Sequence, residues 1–149
     1  MRSRITETAL ARIGLAVVAL HVADDSFFQP QPGTSATDHL AGGLFPIAVL
    51  VGVALVYPRL RGGLRALLAV TLGIFGVVTG IEAAYYVGEV GASGDDYTGF
   101  LAIPAGMVLI GTGVVTLWRT RRTDDRIVRR YGRRLLLAPR CSGSSSWLG

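Results

Sequence analysis

The feature that most constrains this chain is an uncharged stretch of 22 residues at positions 97–118, followed at once by Arg119, Arg121 and Arg122. As an α-helix, which rises 1.5 Å per residue, it is long enough to cross a hydrocarbon core of about 30 Å. Hydrophobic residues make up 50% of the 149-residue chain, which excludes an ordinary soluble enzyme. We therefore predict an integral membrane protein.

Three further apolar stretches precede this one, at residues 9–23, 40–57 and 66–86. The first is short and follows basic residues, as in a secretory signal. However, His21 and Asp24 stand where a cleavage site requires small residues, so we predict an uncleaved first helix. With residues 97–118, these stretches predict four membrane spans.

The basic residues alternate from one connection to the next. All 15 are arginine. Except for Arg12, near the start of the first stretch, they cluster before the first span, between the second and third, and after the fourth. The other two connections hold acids and no arginine. By the positive-inside rule, this pattern predicts both termini in the cytoplasm. The expected fold is an all-α membrane protein with four transmembrane helices in an antiparallel bundle.

The same composition limits the chemistry of the chain. Arginines beside apolar runs indicate topology, so we expect the lipid bilayer and no nucleic acid as a partner. Cys141 is the single cysteine, and no His or Cys cluster has the spacing of a zinc or haem site. No serine nucleophile elbow, zinc-protease helix, phosphate loop or dinucleotide-binding glycine motif occurs. We expect no cofactor and no catalytic residue.

Small residues recur every three or four positions along the third span, so they share one face of a helix and let another helix approach closely. They are Ala69, Gly73, Gly76, Gly80 and Ala84. Packing within the bundle and assembly into a homo-oligomer use the same physics. The pattern favours the first and leaves the second open.

The predicted outer face carries the residues that come closest to a functional site. Nitrogen and oxygen ligands for a divalent metal occur at His21, Asp24, Asp25, Asp38 and His39. Because acids at a membrane boundary are readily hydrated and histidines near helix ends often only form hydrogen bonds, the sequence does not by itself establish a metal site.

Glu82 is the one acid inside the third span. A carboxylate within a membrane helix is costly and is usually paired or functional, so one hypothesis is a small transporter subunit that uses Glu82. The other is that this side chain, about one turn from the helix end, only reaches the headgroups.

Several segments resemble the N-terminal membrane region of certain actinobacterial α/β-hydrolase-fold proteins. They are residues 24–35, Asp38-His39-Leu40, Tyr57-Pro58-Arg59-Leu60-Arg61 and residues 93–99, within a region of likeness spanning about residues 15–137. In that family a further span leads to a hydrolase domain with a serine nucleophile, and this chain contains no such domain. The resemblance implies a polytopic anchor or sensor module in a bacterial cytoplasmic membrane, partnered by a hydrolase domain and inactive by itself.

The chain divides into a four-span domain at residues 1–122 and a basic cytoplasmic tail at residues 123–149. After Arg140 the tail changes to a Gly/Ser-rich sequence, where a shifted frame with GC-rich codons can encode another apolar span. This suggests a frameshifted or truncated end; a native Gly/Ser tail is the alternative.

The predicted function is an anchor or sensor module. The alternative is a complete small protein that binds a partner, ligand or metal on its acidic outer face.

Overall fold

The computed structural model describes residues 2–29, 35–91 and 96–136. Over these residues the chain is entirely helical or turn, with four long helices: α1 (Arg2–Ala23), α2 (Leu40–Val56), α3 (Gly62–Val90) and α4 (Asp96–Leu136). A π-helical turn, Asp24–Phe28, extends α1, and a 3-10 turn, Tyr57–Arg59, follows α2.

All four helices contain a segment long and apolar enough to cross a membrane. These segments are Arg4–Phe28, Leu40–Arg59, Gly62–Glu89 and Tyr97–Thr123. The prediction of an all-helical chain with four such helices is confirmed. Each segment is longer than the sequence pattern indicated, because helical geometry continues past the last apolar residue.

The helices are arranged in the spatial order α2, α1, α4, α3. The most extensive contact joins α3 to α4, α1 packs on α4, and α2 packs mainly on α1. Neighbouring helices run antiparallel. Gly62 at the start of α3 faces Thr120 near the end of the α4 span, the end of α1 contacts the start of α4 at His21 and Thr98, and Arg12 of α1 contacts Ala54 near the end of α2. We call the end that contains Arg65 and Thr120 the arginine end. The opposite end, which contains His21 and Thr98, is the histidine end.

The contact between α3 and α4 is made backbone to backbone through glycines. A Cβ built on Gly106 would lie 2.5 Å from the carbonyl oxygen of Gly73, and one built on Gly80 would lie 2.6 Å from that of Gly99. Side chains larger than hydrogen would therefore force the two helices apart. The small-residue face predicted for the third span thus packs inside this chain, except that Ala83, and not the half-buried Ala84, contacts Gly99.

The remaining glycine of that face, Gly76, packs against α1. A Cβ on Gly76 would meet the side chain of Val18 at 2.6 Å, and one on Gly14 would meet Leu109 of α4 at 2.7 Å. The buried face of α1 follows helical spacing, with Ala11, Leu15, Val18 and Val22 at most 7% exposed. The first apolar stretch, marginal as a span by itself, is therefore the helix that joins α2 to the α3–α4 pair.

A hydrogen bond between side chain and backbone joins α2 to α1 near the arginine end. The carbonyl of Ala54 cannot form its bond to the residue four positions later, because that residue is Pro58, which has no N–H. Instead, Nε of Arg12 donates to this oxygen at 2.9 Å. Pro58 thereby leaves the Ala54 carbonyl oxygen available to accept the hydrogen bond that joins α2 to α1.

Beyond its membrane segment, α4 continues as one helix to Leu136. Residues 123–136 of the predicted basic tail are therefore helical and continuous with the fourth span. Residues 137–149, which include Cys141 and the hypothetical frameshift, lie outside the described residues. At the membrane end of this extension, the guanidinium carbon of Arg122 lies 3.5 Å from the ring centroid of Trp118, a cation–π contact.

We expect Gly106→Ala to destabilise the protein by about 1–3 kcal/mol, the range for overpacking a close-packed interior. The added methyl group would meet the Gly73 carbonyl and the Val77 backbone nitrogen, at 2.5 and 2.8 Å. Thermal unfolding in detergent micelles measures the effect. Gly111→Ala on the same helix is the matched control, since its Cβ would meet nothing within 4 Å. Equal melting temperatures for the two variants would show that α3 and α4 are not packed through this glycine.

Candidate functional site

Three polar side chains from two helices meet at the histidine end. Nδ1 of His21 lies 3.3 Å from Oγ1 of Thr98, and this hydroxyl donates to Oδ2 of Asp24 at 2.8 Å. His21 is buried, at 4% exposure, while Asp24 and Thr98 are half-buried. These residues form a hydrogen-bonded chain from imidazole to carboxylate.

The direction of the hydrogen bonds follows from the carboxylate. Ionised Asp24 only accepts, so the single hydroxyl proton of Thr98 points to it. Oγ1 of Thr98 must then accept from Nδ1–H of His21. In the neutral ring, this leaves Nε2 as the nitrogen with a lone pair.

Two local features place the members of this cluster. A Cβ on Gly99 would lie 3.2 Å from Cε1 of His21, so the glycine after Thr98 makes room for the imidazole ring. The π-helical turn is closed by the bond from Gln29 N–H to the Asp24 carbonyl, at 2.8 Å. Such turns insert an extra residue and are frequent at functional sites. Here the turn also directs the buried Ser26 toward Gly43 of α2.

Asp38 and His39 lie in the turn that precedes α2. Oδ2 of Asp38 accepts from the hydroxyl of Ser35 at 2.7 Å and from its backbone N–H at 2.8 Å. These bonds, first the one from the hydroxyl, lower the pKa of Asp38 below its usual value. Asp38 therefore stabilises a local turn.

The predicted metal ligands are thus divided between two places. His21 and Asp24 are joined through Thr98, with Asp25 half-buried in the same π-helical turn. Within residues 2–29, 35–91 and 96–136, no three His, Cys, Asp or Glu side chains are grouped so as to hold a metal ion. A metal site on this face stays a prediction from sequence.

The side chain of Glu82 is exposed on α3. It lies on a different side from Gly76, Gly80 and Ala83, which face the neighbouring helices. Tyr85 and Tyr86 follow one turn later, with their rings in edge-to-face contact at a centroid distance of 5.8 Å. The carboxylate is thus directed away from the interface between the helices.

A second polar cluster, at the arginine end, was not predicted from the sequence. Nη1 of Arg65 lies 3.2 Å from Oε1 of Glu7, and these side chains are only 6% and 9% exposed. The fully buried Tyr57 lies close enough for both charges to act on its phenol. Among the described residues, four buried side-chain atoms have no hydrogen-bond partner: Glu7 Oε1, the Tyr57 hydroxyl, Arg65 Nε and the Thr116 hydroxyl.

The overlooked residues gave different signals in the sequence. Glu7 is an acid among the N-terminal arginines, an exception to the charge pattern that could have indicated a buried partner. Arg65 stands among the arginines between the second and third spans, so in the sequence it is indistinguishable from the arginines that set topology. Thr98 gave no signal by itself, because one threonine at a helix start is most often a cap.

No family model, curated protein or solved structure matches this chain. Any functional assignment therefore rests on the sequence and the structure of this chain.

We expect Thr98→Val, which keeps the shape and removes the hydroxyl, to destabilise the protein by about 1–3 kcal/mol. It would leave the buried His21 Nδ1–H and a carboxylate oxygen without their partner. Thr98→Ser retains the hydroxyl and should remain within a few tenths of a kcal/mol of the wild type. Chemical or thermal unfolding in detergent compares the variants. A valine variant as stable as the serine variant would contradict the bridging role.

Removing one partner of the buried ion pair should cost more than removing both. Glu7→Gln leaves the Arg65 cation buried and unpaired, and we expect a loss of about 3–5 kcal/mol. The double variant Glu7→Leu, Arg65→Met should recover most of that loss, because no charge remains to be desolvated. The same unfolding assay measures both. Additive losses in the double variant would show that the two side chains do not interact.

Proposed function

We propose that this protein is a polytopic anchor or sensor module of a bacterial cytoplasmic membrane, with both termini in the cytoplasm and no catalytic activity of its own. The observation that carries the proposal is the separation of charge along the helices. Arg59, Arg61 and Arg65 lie at the same end as Arg119 and Arg121, as the contacts Arg65–Glu7 and Gly62–Thr120 require.

Acidic groups collect at the other end. Asp24 and Asp25 follow α1, and Asp38 precedes α2, beside the contact of Ser26 with Gly43. Cytoplasmic connections carry the excess of arginine in membrane proteins, so this separation supports a cytoplasmic arginine end. In that orientation the histidine end faces the outside of the cell.

The packing supports a fixed module more than a transporter. Alternating access requires one group of helices to move against another around a central site. Here α3 and α4 approach through backbone contacts at Gly73, Gly80, Gly99 and Gly106, which tolerate little sliding. Glu82, on which the transporter hypothesis depends, faces away from these contacts.

A sensor role has its own supporting observation, the chain of His21, Thr98 and Asp24. It joins α1 to the first turn of α4 at the predicted outer face, so a ligand that breaks this hydrogen-bonded chain would act on both helices. This site is also the one that the alternative function, ligand binding on the acidic outer face, would use.

The hydrolase partner is the narrower part of the proposal and rests on the resemblance in residues 24–35, 38–40, 57–61 and 93–99. DNA sequencing from codon 135 onward, translated in all three frames, tests it directly. The expected result is a shifted frame that opens into an apolar span and a domain with a serine nucleophile elbow. Early stop codons in every frame would remove the hydrolase and leave the membrane module.

Reporter fusions test the orientation. We expect a cytoplasm-dependent fluorescent protein to be active at either terminus of the full chain, and alkaline phosphatase, which requires the periplasm, to be inactive there. Phosphatase activity at the C-terminus would contradict the four-span orientation.

The matched variants Glu82→Gln and His39→Ala should leave membrane retention of the reporter unchanged. A loss of ion uptake or of metal binding in either variant would instead favour the transporter or the ligand-binding hypothesis.

A further inference from the structure

A groove open to the exterior runs between α1 and α2. It has a volume of about 280 Å³, and its walls are aliphatic, with Ala16 and Ala19 on α1 facing Leu50 and Leu55 on α2. The alanines lie one turn apart, so the helix surface is recessed there. In a membrane this groove opens toward the lipid, because α2 packs mainly on α1 and most of its surface is exposed.

One charged side chain, Arg12, lines this groove together with the aliphatic residues. Its Nε donates to the carbonyl that Pro58 leaves without a helical partner, and this bond holds the side chain beside Ala54. A guanidinium has five N–H donors, so four remain on its two terminal nitrogens. The side chain is exposed, and in the described part of the chain the buried Glu7 pairs with Arg65 and not with Arg12.

An arginine at this depth is stabilised by an anion. Arg12 lies within the membrane segment Arg4–Phe28, eight residues from its start, and a cation within a span is costly unless it is paired or reaches the headgroups. A planar guanidinium matches the oxygens of a phosphate in a two-point hydrogen bond.

The groove determines what kind of anion fits. A free inorganic anion would leave the aliphatic walls uncovered, whereas a phospholipid carries its phosphate and its hydrocarbon chain together. From Arg12 to Ala19 the groove extends about 10 Å along α1, toward the middle of the bilayer, as an acyl chain does from its headgroup. The charge and the walls thus match the two parts of one lipid molecule.

We propose that the α1–α2 groove is a binding site for one anionic phospholipid, with its phosphate held by Arg12 and one acyl chain lying against Ala16 and Ala19. The proposal rests on the chain being embedded in a membrane, as the proposed function also requires, but not on which side the termini lie. It assigns Arg12 a role distinct from the topology-setting arginines of the turns.

Native mass spectrometry of the detergent-solubilised full chain, titrated with phosphatidylglycerol or with phosphatidylcholine of the same acyl chains, tests the site. The wild type should bind the first phosphatidylglycerol about fivefold more tightly than phosphatidylcholine, the factor expected for one basic residue near an anionic headgroup. Arg12→Gln should abolish this preference. Arg61→Gln removes an exposed arginine at the same end, outside the groove, and should retain it.

A second variant tests the apolar part of the site while keeping the charge. Ala16→Phe should fill the groove and weaken the first binding step of both lipids, with Arg12 unchanged. Inorganic phosphate should not compete with phosphatidylglycerol in the wild type, since it lacks the acyl chain. Circular dichroism confirms that each variant is folded before binding is compared.

Several results would overturn the proposal. An equal loss of preference in Arg12→Gln and Arg61→Gln would indicate general attraction to the arginine end, and a preference retained in Arg12→Gln would exclude Arg12. Full competition by inorganic phosphate, or a lipid-free dimer whose contact Ala16→Phe disrupts, would assign the groove to another occupant. Extraction of the protein by alkaline carbonate would contradict the membrane placement itself, whereas an embedded protein without lipid preference would contradict the lipid site alone.

Discussion

The close approach of the α3 and α4 backbones determines how the rest of this chain packs. In a bilayer, lipid tails are as apolar as leucine, so helices gain little from the hydrophobic effect and depend on van der Waals contact. Gly73, Gly80, Gly99 and Gly106 provide that contact by removing the side chains between the two helices. Their pairing fixes the register of α3 against α4, and α1 then packs across both, with Val18 on Gly76.

The two polar clusters hold α1 at both ends of this packed unit. Glu7 pairs with Arg65 of α3 at one end, and His21 contacts Thr98 of α4 at the other. Separating a buried ion pair or breaking a buried hydrogen bond is costly, so each cluster strongly favours one position of α1 along its axis. By contrast, α2 is held on one side only, by contacts such as Arg12 with the Ala54 carbonyl, which leaves it the most exposed helix.

The sequence was most informative where one simple physical rule decides the structure. The uncharged stretches predicted the four helices because an apolar segment of that length has few alternatives, and the spacing of Gly73, Gly76 and Gly80 identified a packing face. The sequence did not predict which helix packs on that face, because nothing in it indicates that Gly106 contacts Gly73. The partners of His21 and Arg65 depend on that register, so they could not be derived before it.

The local departures from simple helical pattern were also beyond sequence reasoning. The sequence ended the first span at residue 23, but Asp24–Phe28 continues it as a π-helical turn. No residue type distinguishes such a turn from an ordinary helix end. The bond between Arg12 and Ala54 follows from Pro58 once the two helices are adjacent. From sequence alone, that proline indicated only where α2 ends.

The continuity of α4 has a geometric consequence. Its 41 residues make a rod about 60 Å long, and the 13 residues from position 124 to 136 extend about 20 Å past the membrane segment. That distance is about two and a half times the screening length of about 8 Å for surface charges at physiological ionic strength. With the segment Tyr97–Thr123 in a bilayer, the helix would place residue 136 beyond the electrostatic reach of the membrane surface.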